Sequence, residues 1–195
     1  MRIVVALVIG YFAGSIPFAL LLTRSRGVDL RRAGSHNVGA ANVLRTTGVP
    51  RALTVLLLDA GKGAMAVLVA RLLTDDVTAV MATGLAAIVG HVYPAWIGFR
   101  GGKGVAASAG VFAMLAPLAT AIAALVFVGT IVVTRFISAG SLAGAVALAM
   151  ATAIGNAPGP VVGGAILAAV LVMYRHRDNV HRLIAGTERR IGLRL

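Results

Sequence analysis

The sequence predicts an all-α fold: a polytopic integral membrane bundle of about seven transmembrane helices, with the N-terminus outside and the C-terminus in the cytoplasm. Apolar residues make up 59% of the 195 residues and charged residues only 12%, which is the composition of a membrane protein. The chain also has 24 glycines and 5% aromatic residues, a balance typical of closely packed helices and not of an outer-membrane barrel. We predict one integral membrane domain over residues 1–195.

Seven apolar stretches are the predicted spans. They cover residues 3–22, 52–73, 77–99, 105–118, 119–133, 142–154 and 161–174. The last four are shorter than the roughly 20 residues that cross a hydrocarbon core, and tight turns are predicted at 116–117 and 157–160. The pairs Gly140/Gly144 and Gly159/Gly163 have the spacing of small residues at close helix contacts.

The connections between these stretches alternate in charge. One set is basic: Arg24, Arg26, Arg31, Arg32, Arg45, Arg51, Arg100, Lys103, Arg135 and the arginines from Arg175 onward. The other set contains Arg71, Asp75 and Asp76 and is otherwise uncharged. Because Lys and Arg are enriched in cytoplasmic loops, the basic set is predicted to lie inside. The net charge of +12 then predicts contact with anionic lipid headgroups and no nucleic-acid partner.

A glycine-rich turn interrupts the apolar sequence at residues 98–105, which read GFRGGKGV. Glycines let backbone N–H groups converge on an anion, and Lys103 adds a mobile cation, so the predicted ligand is a phosphate. The turn is not a Walker A loop, because Ile97 and Gly104 stand where that loop needs Gly and Ser or Thr. Taken alone, the segment is equally consistent with a tight turn between helices whose Arg100 and Lys103 snorkel to headgroups.

The other polar clusters fall in the same set of connections. Residues 34–39 with Asn42 and Arg45 lie in the first basic loop, Ser138 and Ser141 flank the third, and residues 176–179 begin the tail. This one-sided distribution predicts an enzyme or binding site that opens to the cytoplasm. The alternatives are a transporter or channel for a phosphorylated anion, which would need polar residues in the bland outer turns, and a non-enzymatic lipid-binding protein.

Five ordered motifs carry a family resemblance. They are GSIPFALLL from Gly14, GSHNVGAANVLR from Gly34, LLLDAGKGA from Leu56, GHVYPAWIGFRGGKGVA from Gly90 and YRHRDNVHRLIAGTERRIG from Tyr174. Together they resemble the acyl-phosphate-dependent glycerol-3-phosphate acyltransferases of bacteria, the PlsY family. Two positions depart from the family pattern, since His36 and Ala41 stand where Gly and a hydroxyl residue are expected.

The resemblance implies an enzyme that moves a fatty acyl group from acyl phosphate to the 1-hydroxyl of glycerol 3-phosphate, giving lysophosphatidic acid and phosphate. It implies a bacterial cytoplasmic membrane location, contact with membrane lipids, and a functional link to the soluble enzyme that makes acyl phosphate. No cofactor or metal is expected. The implied catalytic residues are Lys103, Ser35, Asn179 and His176, and the implied substrate-binding residues are Arg45, Asn37, Gly101, Gly102, Gly104 and Ser141.

The sequence also lacks a readable general base. Acyltransferases that use thioesters carry H-x-x-x-x-D, and none of the four histidines has Asp five positions later. Asp59 and Lys62, one helical turn apart, are predicted to form an intramembrane ion pair outside the catalytic list. His91, beside Tyr93 and Trp96, has two interpretations, as an interface anchor or as a site residue. Glu188 is interpreted as a residue that ties down the tail.

Overall fold

The computed structural model describes residues 1–25 and 27–192, and every regular element within them is helical. The all-α class is therefore confirmed. The helices are α1 (Arg2–Gly14), α2 (Phe18–Arg24), α3 (Ala40–Thr47), α4 (Val49–Leu73), α5 (Val77–Val92), α6 (Val105–Leu115), α7 (Pro117–Thr134), α8 (Ile137–Ile154), α9 (Gly159–Arg175) and α10 (Arg177–Ile184). They group into two compact units, Met1–Leu115 and a second that begins at Ala116.

Five segments of the described chain are long and apolar enough to cross a membrane: Arg2–Arg24, Val49–Leu73, Val77–Ile97, Pro117–Thr134 and Ile137–Ile154. Gly159–Arg175 and Arg177–Ile184 make a sixth if they count as one span despite a bend of 58°. A multi-pass membrane protein follows from these spans. The count of seven and the orientation of the termini stay predictions.

Two predicted boundaries are wrong. The stretch 105–118 is not one helix, because α6 ends at Leu115 and Pro117 occupies the first turn of α7. A proline disfavours helical geometry in the residue before it, and Ala116 is accordingly extended in φ at −147°. The helix predicted to begin at residue 142 begins at Ile137, so Ser138 and Ser141 lie inside α8 and do not flank it in a loop.

Glycines bring the helices of the first unit into backbone contact. Gly10 and Gly14 of α1 face the carbonyls of Thr83 and Ala87 in α5. In the same way, Gly63 of α4 faces the carbonyl of Ala107 in α6. A Cβ at any of these positions would overlap a carbonyl oxygen that belongs to rigid helix backbone. Close packing in this unit therefore depends on the absence of side chains there.

Gly110→Ala should destabilise the protein, because its Cβ would meet the backbone carbonyl of Ala60 in α4. Overpacking of this kind costs about 1–3 kcal/mol, seen as a lower midpoint of thermal unfolding in one detergent. Gly61→Ala is the matched control, since nothing among the described residues lies near a Cβ built there. Equal midpoints for the two variants would contradict the close contact.

In the second unit, α8 packs against both α7 and α9. Gly140 and Gly144 contact Phe127 of α7, so the close approach predicted from their spacing is confirmed. The same prediction for Gly159 and Gly163 is wrong, because no described atom outside their own helix lies within 4 Å of a Cβ built at either position. Small residues four apart permit a contact, but a neighbouring helix must be present to make one.

The first predicted span is broken in the middle. α1 ends at Gly14 and α2 begins at Phe18, with Pro17 between them, a residue that cannot continue the hydrogen-bond ladder of α1. The carbonyl of Ile16 at this break accepts a hydrogen bond of 2.8 Å from Lys62 Nζ. The same carbonyl accepts from the Phe18 N–H at 3.1 Å, so a side chain of α4 and a local backbone donor together take the place of the helical hydrogen bond.

Candidate active site

The first basic loop is organised by Asn42, which is fully buried at the start of α3. Its Oδ1 accepts from the Ser35 N–H at 2.8 Å. Its Nδ2 lies 2.9–3.1 Å from three carbonyls, those of Leu30, Ala33 and Asn37, which share its two N–H donors. One amide side chain therefore fixes the backbone on both sides of residues 34–36. Sequence reasoning placed Asn42 in this loop but missed its structural role.

Ser35 and Asn37 are half-buried in this loop and Arg45 is exposed in the last turn of α3. Gly34 has φ +61°, and a Cβ there would overlap Asn42 Oδ1, so this turn requires glycine. His36 has φ +58°, a left-handed conformation that favours glycine. This explains why the resemblance predicts Gly at position 36.

Outside the helices, the side-chain and backbone hydrogen bonds from Arg31 lower the pKa of Asp29 to about 2.

The glycine-rich turn folds back on the end of α5. The N–H groups of Gly101 and Gly102 donate to the carbonyls of Val92 and His91 at 3.0 and 3.1 Å. These two amides are therefore engaged within the fold, and their binding of phosphate stays a prediction. Glycine is needed here for close approach, since a Cβ on Gly102 would overlap Nε2 of the His91 ring. Gly104, at φ +87°, leads directly into α6, and Lys103 is half-buried beside it.

Beside this turn is a small cleft, lined in part by Val38 of the first loop and by Gly101 and Gly102. Three ionisable side chains also line it. Lys62 Nζ lies 2.7 Å from Asp59 Oδ1, and the same oxygen lies 3.5 Å from His91 Nδ1. The ion pair predicted from the spacing of Asp59 and Lys62 is confirmed. The interpretation of His91 as an interface anchor is wrong, because the residue is only 7% exposed.

Glu188 is the centre of the polar cluster in the second unit. Its Oε1 accepts from Ser138 Oγ at 2.9 Å and from Asn179 Nδ2 at 2.7 Å, and its Oε2 accepts from Arg182 Nε at 2.7 Å. Burial opposes ionisation of the carboxyl, but these hydrogen bonds outweigh it, and the pKa of Glu188 is lowered. The tail is thereby tied to α8 and α10, which confirms the interpretation of Glu188.

His176, Asn179 and Ser141 also lie in the second unit, and all three are buried. His176 sits at the bend between α9 and α10, with Nδ1 2.8 Å from the Val172 carbonyl. His176 and Asn179 would share a helical face only if the last span continued straight through both. Because the chain bends at His176, it does not. Ser141 Oγ donates to the Ile137 carbonyl of its own helix at 2.9 Å.

Comparison with known proteins decides the family. The family model described as glycerol-3-phosphate acyltransferase matches residues 4–186. A protein of that name from Myxococcus xanthus (strain DK1622) is 47% identical over 184 residues, covering 93% of this chain and 96% of the relative. Another from Cereibacter sphaeroides (strain ATCC 17029 / ATH 2.4.9) is 51% identical over 186 residues, covering 95% and 92%.

The fold agrees with the same family. The crystal structure of PlsY (YgiH), an integral membrane glycerol 3-phosphate acyltransferase, in its glycerol 3-phosphate form has a TM-score of 0.94 at 36% identity, covering 98% of this chain and 96% of that one. The lysophosphatidic acid form of PlsY has a TM-score of 0.92 at 35% identity. This chain belongs to the PlsY family of glycerol-3-phosphate acyltransferases. The PlsY resemblance carried by the five motifs is confirmed, and the protein is a membrane-bound acyltransferase of phospholipid biosynthesis.

Proposed function

We propose that this acyltransferase moves a fatty acyl group from acyl phosphate to the 1-hydroxyl of sn-glycerol 3-phosphate, giving lysophosphatidic acid and inorganic phosphate. The observation that carries the proposal is the near-complete structural match to PlsY, whose crystal forms contain the glycerol 3-phosphate and lysophosphatidic acid named above. A chain that shares that fold over 98% of its length has the scaffold for the same acceptor and product.

In the reaction, the acceptor hydroxyl oxygen attacks the acyl carbon of the donor and forms the new ester bond. The bond between the acyl carbon and the phosphate oxygen breaks, and phosphate leaves with the electron pair. The hydroxyl proton passes to the departing phosphate. No protein base is needed for this balance, in keeping with the missing H-x-x-x-x-D motif. Catalysis then rests on positioning both substrates and stabilising the phosphate charge.

Lys103 is the residue we assign to the donor phosphate. It stands between the turn held on α5 and the first turn of α6, where N–H groups at a helix N-terminus favour an anion. Gly104 contributes the tight entry into that helix. The glycines at 101 and 102 support this arrangement by letting the turn pack on His91. Phosphate binding by their amides stays a prediction from the family resemblance.

In the first loop, Ser35 and Asn37 are proposed to contact substrate because Asn42 holds their backbone in one geometry. Arg45 is proposed to bind the phosphate of glycerol 3-phosphate, since a guanidinium offers two parallel donors to one phosphate. Participation of His176, Asn179 and Ser141 in the second unit stays a prediction from the family resemblance. The functional link to a soluble enzyme that produces acyl phosphate also stays a prediction from the family resemblance.

We also propose that the site opens to the cytoplasm from the bacterial inner membrane. The chain has no cysteine, so single cysteines can be introduced without background. Ser35→Cys and Asp178→Cys, the latter at an exposed position of the tail, should react with a membrane-impermeant thiol reagent only after the cytoplasmic side is exposed, whereas Asp75→Cys should react from outside. Labelling of positions 35 and 75 from the same side would contradict this orientation.

The donor is tested with purified protein supplied with glycerol 3-phosphate and either palmitoyl phosphate or palmitoyl-CoA. We expect lysophosphatidic acid and one equivalent of phosphate from palmitoyl phosphate, and little or no product from palmitoyl-CoA. Activity should persist in the presence of a chelator. Comparable turnover with both donors would contradict the proposed donor, and the absence of product with either would contradict the proposed reaction.

A further inference from the structure

Three ionisable side chains inside the first unit have no part in the reaction proposed above. Asp59 and Lys62 of α4 and His91 of α5 are each less than 10% exposed, and they converge on one carboxylate oxygen. Ionisable groups within a membrane-spanning segment are costly to bury and are retained where they hold something in place or take part in function. The contacts of this cluster indicate what it holds.

The cluster joins two backbone segments that border the same cleft. On one side, Lys62 donates to the Ile16 carbonyl at the break between α1 and α2. On the other side, the His91 ring lies against Gly102, with Nε2 where a Cβ would stand. The carbonyl of His91 also accepts the Gly102 N–H at 3.1 Å. The glycine-rich turn therefore rests on both the backbone and the ring of His91.

We propose that His91 and Asp59 are positioning residues: Asp59 contacts the inner edge of the imidazole at Nδ1, and the outer edge supports Gly102 and sets the position of Lys103. This inference rests on the proposed role of Lys103. We call the contact between the His91 ring and Gly102 the seat of the turn. Asp59 contacts the opposite edge of the ring, and its carboxylate is in turn paired with Lys62. Neither Asp59 nor His91 needs to touch a substrate for the turn to depend on them.

A double-mutant cycle between His91 and Gly102 tests the seat. In the wild-type background, Gly102→Ala places a methyl group against the ring and should lower kcat at least about tenfold. In the His91→Ala background the space is vacant, so adding Gly102→Ala should change kcat far less, giving a coupling of about tenfold. Neither substitution removes the backbone N–H of residue 102 or the carbonyl of residue 91, so the cycle is directed at the ring.

Asp59→Asn is a second test of the proposal, because the substitution keeps the shape of the side chain and removes its charge. We expect a lower kcat with little change in the KM for glycerol 3-phosphate, since that KM is assigned to Arg45, a residue of α3 and not of the turn. A purely structural role would lower the yield or the thermal midpoint without this split between kcat and KM. Gly61→Ala, one residue from Lys62 and with open space around it, is the control that should behave as wild type.

Failure of this inference is distinguishable from failure of the proposed function. Additive effects of His91→Ala and Gly102→Ala would overturn the seat, even if Lys103→Ala is inactive. Coupling together with a fully active Lys103→Ala would keep the seat and overturn the role of Lys103. If His91→Ala does not fold, His91→Gln replaces it, because its flexible amide can move away from an added methyl group, and the same reduced cost of Gly102→Ala is expected.

Discussion

Lys103→Ala should lower kcat by about 100- to 1,000-fold, the loss expected when a single group that stabilises transition-state charge is removed. The Lys103 ammonium is proposed to stabilise the negative charge that develops on the phosphate as the acyl–oxygen bond breaks. Because that charge is larger in the transition state than in the bound donor, the loss should fall on kcat rather than on KM. Steady-state kinetics with acyl phosphate varied at saturating glycerol 3-phosphate measure both constants.

Arg100→Ala is the matched control for this experiment. Arg100 belongs to the same turn and carries the same charge, but it is exposed. If the general positive potential of the turn were sufficient for catalysis, the two variants would lose similar activity. We expect Arg100→Ala to retain most of its kcat. Near-normal kcat and KM for Lys103→Ala would show that the reaction takes place elsewhere.

Arg45→Lys should raise the KM for glycerol 3-phosphate with little change in kcat. Lysine keeps the charge but loses the planar pair of donors that a phosphate can accept in parallel. The lost charge-assisted contact is worth about 1.5–3 kcal/mol, which corresponds to a roughly 10- to 150-fold higher KM. An unchanged kcat would mean that the contact is equally strong in the ground state and the transition state.

Arg51→Lys is the control for this second variant, since it makes the same substitution at the beginning of α4, where Arg51 donates to the Thr47 carbonyl. Its KM for glycerol 3-phosphate should match that of the wild type. The KM for the acyl donor should be unchanged in both variants. A rise in the donor KM for Arg45→Lys, with that for glycerol 3-phosphate unaltered, would assign Arg45 to the other substrate.

The fold class and the family could be predicted because composition and motif order are properties of the chain itself. The helix boundaries were harder, since hydropathy does not separate an apolar turn from an apolar helix. The start of α8 at Ile137 was missed because the serines at 138 and 141 look like loop residues in sequence, whereas a buried helix accommodates them through bonds to Glu188 and to its own backbone.

The site was predicted at the level of segments but not of atoms. The sequence shows that residues 101 and 102 have no side chains, but it cannot tell whether the space this leaves is filled by a ligand or by another part of the protein. His91, ten positions before Gly101, fills it in the fold. The bonds of Asn42 were equally invisible, because they exist only once Leu30 and Asn37 have folded around it. The Asp59–Lys62 pair was predictable since its spacing is local.

The break after α1 also makes the first segment depend on a helix that comes much later in the chain. α1 has 13 residues, about 20 Å at 1.5 Å per residue. The Ile16 carbonyl beyond it accepts from the Phe18 N–H at 3.1 Å and from Lys62 Nζ, 46 positions later, at 2.8 Å. The first segment therefore completes its hydrogen bonds only when α4 packs beside it. Since Asp59 travels on the same helix as Lys62, that ammonium is delivered as part of a neutral pair.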